Sequence, residues 1–163
     1  MTELTLTRSP EDRRLYVLGD IGSLRFEGLL SRSATAEGGG RSWRFARRGV
    51  FTARAEAADS AGTQVGEFEA KTVRRGGTIR WRNQRLALRP ASAWRERYAL
   101  ADGEHELAVV DGKGWGRKPV RVDVDDAMPL DPALLLFAVF VVRGLADDAS
   151  GTAGAAASIA ATG

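Results

Sequence analysis

Through residue 126, apolar and polar side chains alternate in short runs broken by glycine, aspartate or paired charges. In "SWRFAR" (42–47), Trp43 and Phe45 share one face while Arg44 takes the other. Period-two alternation marks a half-buried strand. By this pattern strands are expected at 2–7, 15–19, 24–30, 42–47, 51–57, 64–71, 78–82, 85–89, 94–100, 104–110 and 120–124. Between them, "AEGGGRS" (36–42), "ADSAGTQ" (58–64), "RRGG" (74–77) and "ADGE" (101–104) supply residues that tolerate tight reversals. No helical period appears before residue 131, so this part reads as an antiparallel meander.

The pattern then changes. "DPALLLFAVFVVRGL" (131–145) opens on Asp131, a good helix cap, and Pro132, which suits a first helical turn. Ala133 to Val142 are ten apolar residues with no polar one among them. A helix apolar all round must be enclosed all round. Ten residues rise about 15 Å, roughly half the hydrocarbon thickness of a bilayer. Asp131 and Arg143 bound the run, so the segment is too short to span a membrane and is expected inside the protein. A closed sheet of eleven or twelve strands is wide enough to hold it. The fold class is therefore mainly β: a closed antiparallel barrel of about twelve strands, residues 1–148, around a central hydrophobic C-terminal α-helix at about 131–146. The segment 149–163, "ASGTAGAAASIAATG", has Ile159 as its one large apolar side chain and is expected to be a disordered tail.

Composition narrows the chemistry. The chain has 24 basic and 21 acidic residues, a net charge of +3, and no cysteine. Disulfide scaffolds and thiolate metal sites are thereby excluded. The N-terminus lacks the apolar stretch of a signal peptide, and a cytoplasmic location is expected. His105, the single histidine, stands between Glu104 and Glu106, and no "GxSxG" elbow accompanies it. No catalytic set, metal or cofactor is expected. Asp123, Asp125, Asp126 and Asp131 raise the question of calcium, but the glycine and glutamate spacing of an EF-hand loop is missing. "DGKGWGRK" (111–118) is rich in glycine and lysine, yet a strand pattern comes after it where a phosphate loop needs a helix.

Charge concentrates between Lys71 and Arg97, where nine basic residues stand against Glu96 alone. With Asn83–Gln84 as a two-residue turn, Arg82 lies opposite Arg85, and Arg80 and Arg89 share their face. Ile79, Trp81, Leu86 and Leu88 then point inward. Arginine donates two parallel hydrogen bonds to phosphate. Arg74, Arg75, Arg80, Arg82, Arg85 and Arg89 are thus the candidate residues for an anionic ligand. An inward Trp81 argues against nucleic acid, where bases stack on exposed aromatics.

Three segments carry a resemblance to a known family. They are "SWRFARRGVFTARAEAADSAGTQVGEFEAK" (42–71), "RYALADGEHELAVV" (97–110) and "PLDPALLLFAVFVV" (129–142). Residues 2–146 resemble the tubby-like barrel superfamily, and within it the LURP-one-related and phospholipid-scramblase-like branch. The resemblance implies twelve strands wrapped around the terminal helix, in a family with phosphoinositide-binding and membrane-associated members. No catalytic residue carries over. The expected function is a non-enzymatic domain binding an anionic phospholipid, a phosphoinositide or a protein partner. The alternatives are a small ligand-binding barrel and a nucleic-acid-binding protein.

Overall fold

A computed structural model describes residues 1–27, 32–49, 53–71, 75–92, 96–113, 115 and 118–162, without the side chains of 150–162. Twelve strands succeed one another: β1 Thr2–Arg8, β2 Leu15–Leu18, β3 Gly22–Glu27, β4 Ser33–Gly38, β5 Arg41–Arg48 and β6 Arg54–Asp59. They continue with β7 Gln64–Ala70, β8 Gly77–Trp81, β9 Gln84–Pro90, β10 Arg97–Asp102, β11 His105–Asp111 and β12 Val120–Val124. The helix α1, Pro132–Thr162, comes last. Each strand pairs antiparallel with the next, and β1 pairs with β12 from Thr2↔Val124 to Leu6↔Val120, closing the barrel. Closure leaves no open sheet edge.

The meander sends alternate connections to opposite ends. Connections β2–β3, β4–β5, β6–β7, β8–β9, β10–β11 and β12–α1 lie at one end, where the helix enters. Connections β1–β2, β3–β4, β5–β6, β7–β8, β9–β10 and β11–β12 lie at the other, where it leaves.

The helix fills the lumen. Every residue from Ala133 to Val142 is buried; Leu135 is 2% exposed and Phe140 1%. Phe137 meets Phe45 with ring centroids 5.1 Å apart and Trp81 at 5.7 Å, and Phe140 stacks on Phe26 at 6.0 Å. Asp131 caps the entry: its Oδ1 accepts the Ala133 N–H at 3.0 Å. Its Oδ2 accepts the Trp81 indole N–H, also at 3.0 Å.

β4 has no counterpart among the expected strands. Its inward residues are Ala34 and Ala36, too small to register as a hydrophobic period. The reason is α1, which lies close to β3, β4 and β5. A Cβ on Gly22, at the start of β3, would collide with the Glu37 carbonyl and come within 3.0 Å of Leu136. α1 also extends to Thr162 instead of ending near residue 146, as alanine, the best helix former, dominates the chain beyond that point. The side chains of the 149–163 tail lie outside the described residues from Ser150 onward.

An aromatic collar surrounds the exit. The Arg143 guanidinium carbon lies 4.1 Å from the Phe26 ring centroid, 4.9 Å from Trp115 and 5.2 Å from Tyr16. Arg143 Nε is 3.8 Å from Asp147, and Arg47 Nη2 donates to Asp148 at 2.6 Å. Burial pushes the Asp147 carboxyl above its ordinary value, against the pull of Arg143 and Arg47.

Candidate functional site

β8 and β9 form the arginine hairpin, in a register different from the expected one. The turn is Arg82–Asn83, so Trp81 pairs with Gln84, Arg80 with Arg85 and Ile79 with Leu86. Arg82 therefore does not lie opposite Arg85. Both registers leave Ile79, Trp81, Leu86 and Leu88 inward, so the hydrophobic period could not choose between them. Two contacts accompany the observed register: the Arg82 N–H donates to the Val65 carbonyl at 2.7 Å, and its Nε lies 3.8 Å from Asp131. Arg82 takes a φ of 53°, in the left-handed region.

The six candidate arginines divide. Arg80 is engaged by Glu67 across β7 at 3.0 Å and Arg82 by Asp131, while Arg85 is exposed on the outer face beside Arg80. Arg74 lies outside the described residues. Lys71, Arg75 and Arg89 line one groove of about 590 Å³ on the outer face of the barrel. That size falls within the range of ligand pockets, roughly 300–1,000 Å³. Ala87, Leu88 and Pro90 give the groove an apolar wall, and Ser92 adds a hydroxyl.

Local backbone shapes this groove. Gly76 has a φ of 99°, and a Cβ there would collide with the Leu88 carbonyl. Gly76 thus lies tight against β9, and the Lys71 N–H donates to the Gly76 carbonyl at 3.0 Å. Arg89 Nη1 donates to the Gly103 carbonyl of the β10–β11 turn at 3.2 Å, which turns its head toward the entry end and leaves its charge unneutralised. Among the described residues, no carboxylate lies within ion-pairing distance of Lys71, Arg75 or Arg89. Arg75 bears on its neighbour Tyr98: burial raises that phenol above its ordinary value of 10.0, and the Arg75 charge opposes the rise. The site is a positive concavity with an apolar wall, suited to a phosphate or carboxylate attached to an apolar body. Lys71 belonged to the basic run in the sequence, but nothing there placed it with Arg89. The β8–β9 pairing does that.

The other candidate chemistry is dispersed. Asp123, 7% exposed, accepts from Arg97 Nη2 at 3.0 Å and from Arg121 Nε at 3.1 Å. Arg97 Nε also donates to Asp111 at 2.6 Å. Asp125 accepts the Ala127 N–H at 2.9 Å and pairs with His105 at 2.6 Å; Asp126 holds the N-terminal amine and the Thr2 hydroxyl. Among the described residues no group of three or more His, Cys, Asp or Glu is arranged to hold a metal ion. In 111–118, Trp115 packs into the collar, Lys113 and Lys118 are exposed, and β12 comes next. Gly114, Gly116 and Arg117 lie outside the described residues.

Fold and site together define a twelve-stranded antiparallel barrel closed on its own C-terminal helix, with a cationic groove on its outer face. No family model matches the chain, and no match was found among the curated proteins or the solved structures. No helix of the described residues is long and apolar enough to cross a membrane.

Proposed function

We propose that the protein is a non-enzymatic, tubby-like barrel of the LURP-one-related kind that binds an anionic phospholipid headgroup, with phosphoinositides the richest in phosphate. The observation that carries this reading is that Lys71, Arg75 and Arg89 line one groove of about 590 Å³, with no carboxylate within ion-pairing distance among the described residues. Like charges repel when brought together, and an anion relieves that repulsion. The apolar wall of Ala87, Leu88 and Pro90 gives the groove something to hold besides phosphate. A cytoplasmic location goes with this reading, because anionic lipids concentrate in the cytoplasmic leaflet.

The alternatives find less support. A barrel carrying a ligand in its lumen needs space that α1 occupies. A nucleic-acid surface needs exposed aromatics beside the charge, and Trp81 is only 1% exposed. Co-sedimentation at low salt with phosphatidylcholine vesicles, with and without phosphatidylserine or a phosphoinositide, tests the proposal. Binding to the anionic vesicles is expected, and Lys71→Glu with Arg75→Glu should weaken it roughly tenfold or more. Both side chains are exposed, so the thermal midpoint should stay in place. No preference for anionic over neutral vesicles would refute the reading.

A further inference from the structure

The barrel is electrically polarised along its axis. At the exit end, the connections carry Arg32, Lys71, Arg75, Lys113 and Lys118 against Glu96 alone, among the described residues. The β1–β2 connection at that end balances its own charges, Arg13 and Arg14 against Glu11 and Asp12. Asp147 and Asp148, on the emerging helix, face Arg143 and Arg47. At the entry end the sign is reversed: in the connections, Asp20, Glu104, Asp125, Asp126 and Asp131 stand against Arg82 and the nearby N-terminal amine, among the described residues. A net charge of +3 over the whole chain conceals this separation.

Such a molecule turns in the field of a charged surface. Its basic end is attracted and its acidic end repelled, so the torque and the attraction favour the same orientation. The cations at the exit end are spread over separate connections around a rim, an arrangement that fits a planar polyanion better than a single small anion. We propose that the protein docks end-on to an anionic phospholipid bilayer, with the basic connections of the helix-exit rim against the headgroups and the last turns of α1, which continues to Thr162, reaching into the same interface. This rests on the membrane-binding reading above and adds the face that makes contact, which extends beyond the groove.

Because the chain has no cysteine, single-cysteine variants can be labelled cleanly. One fluorophore is placed by Pro10→Cys, on the exit rim but away from the groove, and another by Ser60→Cys in the β6–β7 turn at the entry end. Both positions are exposed and uncharged. Vesicles of phosphatidylcholine and phosphatidylserine carry a quencher on a headgroup. The Pro10→Cys label should be quenched on binding and the Ser60→Cys label should not. Lys113→Glu with Lys118→Glu, remote from the groove residues, should weaken vesicle binding roughly tenfold or more. If the protein binds but the two labels are quenched alike, or only Ser60→Cys is, the end-on orientation is wrong and headgroup binding in the groove stands. Binding unaffected by the Lys113 and Lys118 reversal also rules out the end-on orientation. Failure of the unaltered protein to bind any anionic vesicle overturns both readings.

Discussion

Asp131 joins the ends of two elements with a single carboxylate. One oxygen caps α1 at Ala133, and the other takes the N–H of Trp81, an indole with almost no exposure. Removing the cap costs about 1 kcal/mol, and leaving a buried indole unpaired costs about 1–3 more. Asp131→Ala should therefore lose about 2–4 kcal/mol in urea denaturation. Asp131→Asn keeps one acceptor oxygen and turns a donor toward the other partner, so its loss should be about half as large. The capping role was legible in the sequence, where Asp131 and Pro132 precede an apolar run. The indole partner, fifty positions away, was not, because nothing local in "TIRWRN" points to residue 131. Arg82 is the opposite case, a residue in a backbone conformation it disfavours. Arg82→Asn should raise stability by up to about 1 kcal/mol, since asparagine tolerates the left-handed region and the exposed Arg82–Asp131 pair contributes little. A drop in thermal midpoint would show that the ion pair outweighs the strain.

Strands are legible when large side chains alternate, which is why β5 and β8 read cleanly and β4 did not. β4 turns alanines toward the helix, and an inward alanine is indistinguishable from one in a loop when only the pattern is seen. Register was less legible still. Sliding β8 against β9 by two residues leaves every inward side chain inward, so only turn geometry separates the alternatives. The close approach behind β4 is testable. Gly22→Ala puts a methyl group into the Glu37 carbonyl and against Leu136, and overpacking of this kind costs about 1–3 kcal/mol. The connection from β12 to α1 adds a pH dependence. The Ala127 N–H, and after it His105, hold Asp125 below its ordinary value of 3.8. A depressed carboxylate stabilises the fold at pH above 3.8, and that contribution is lost as pH falls through the lower, folded-state value. Asp125→Ala should lower the thermal midpoint near neutral pH, and the gap from the unaltered protein should close in acid below 3.8. A gap that widens in acid would contradict the assignment.

At the scale of the molecule, the sheet and helix are two halves of one core. The barrel's inner face is apolar throughout, from Leu6 on β1 to Val122 on β12, and a sheet closed at twelve strands cannot collapse onto itself. What fills it is α1, the last element of the chain. Burying Leu134, Leu135, Leu136, Phe137, Val139, Phe140, Val141 and Val142 contributes on the order of 15–20 kcal/mol gross, beyond the net stability of a typical domain. Closure also pairs β1 with β12 across most of the sequence, and such distant pairings form slowly. The wall should therefore not hold together before the helix is available. A chain ending at Asp126 should show no cooperative melting and should bind dyes that report exposed apolar surface. One ending at Asp148 keeps every helix residue whose burial is described as complete, and should melt as the whole protein does. Adding a peptide of residues 127–148 to the shorter chain separates two explanations for its failure. If the missing core is the cause, the peptide should restore a cooperative transition whose midpoint rises with peptide concentration, because it binds only the folded wall. If the chain ending at Asp126 melts cooperatively alone, the sheet is self-sufficient and the helix is an occupant of the barrel instead of its core.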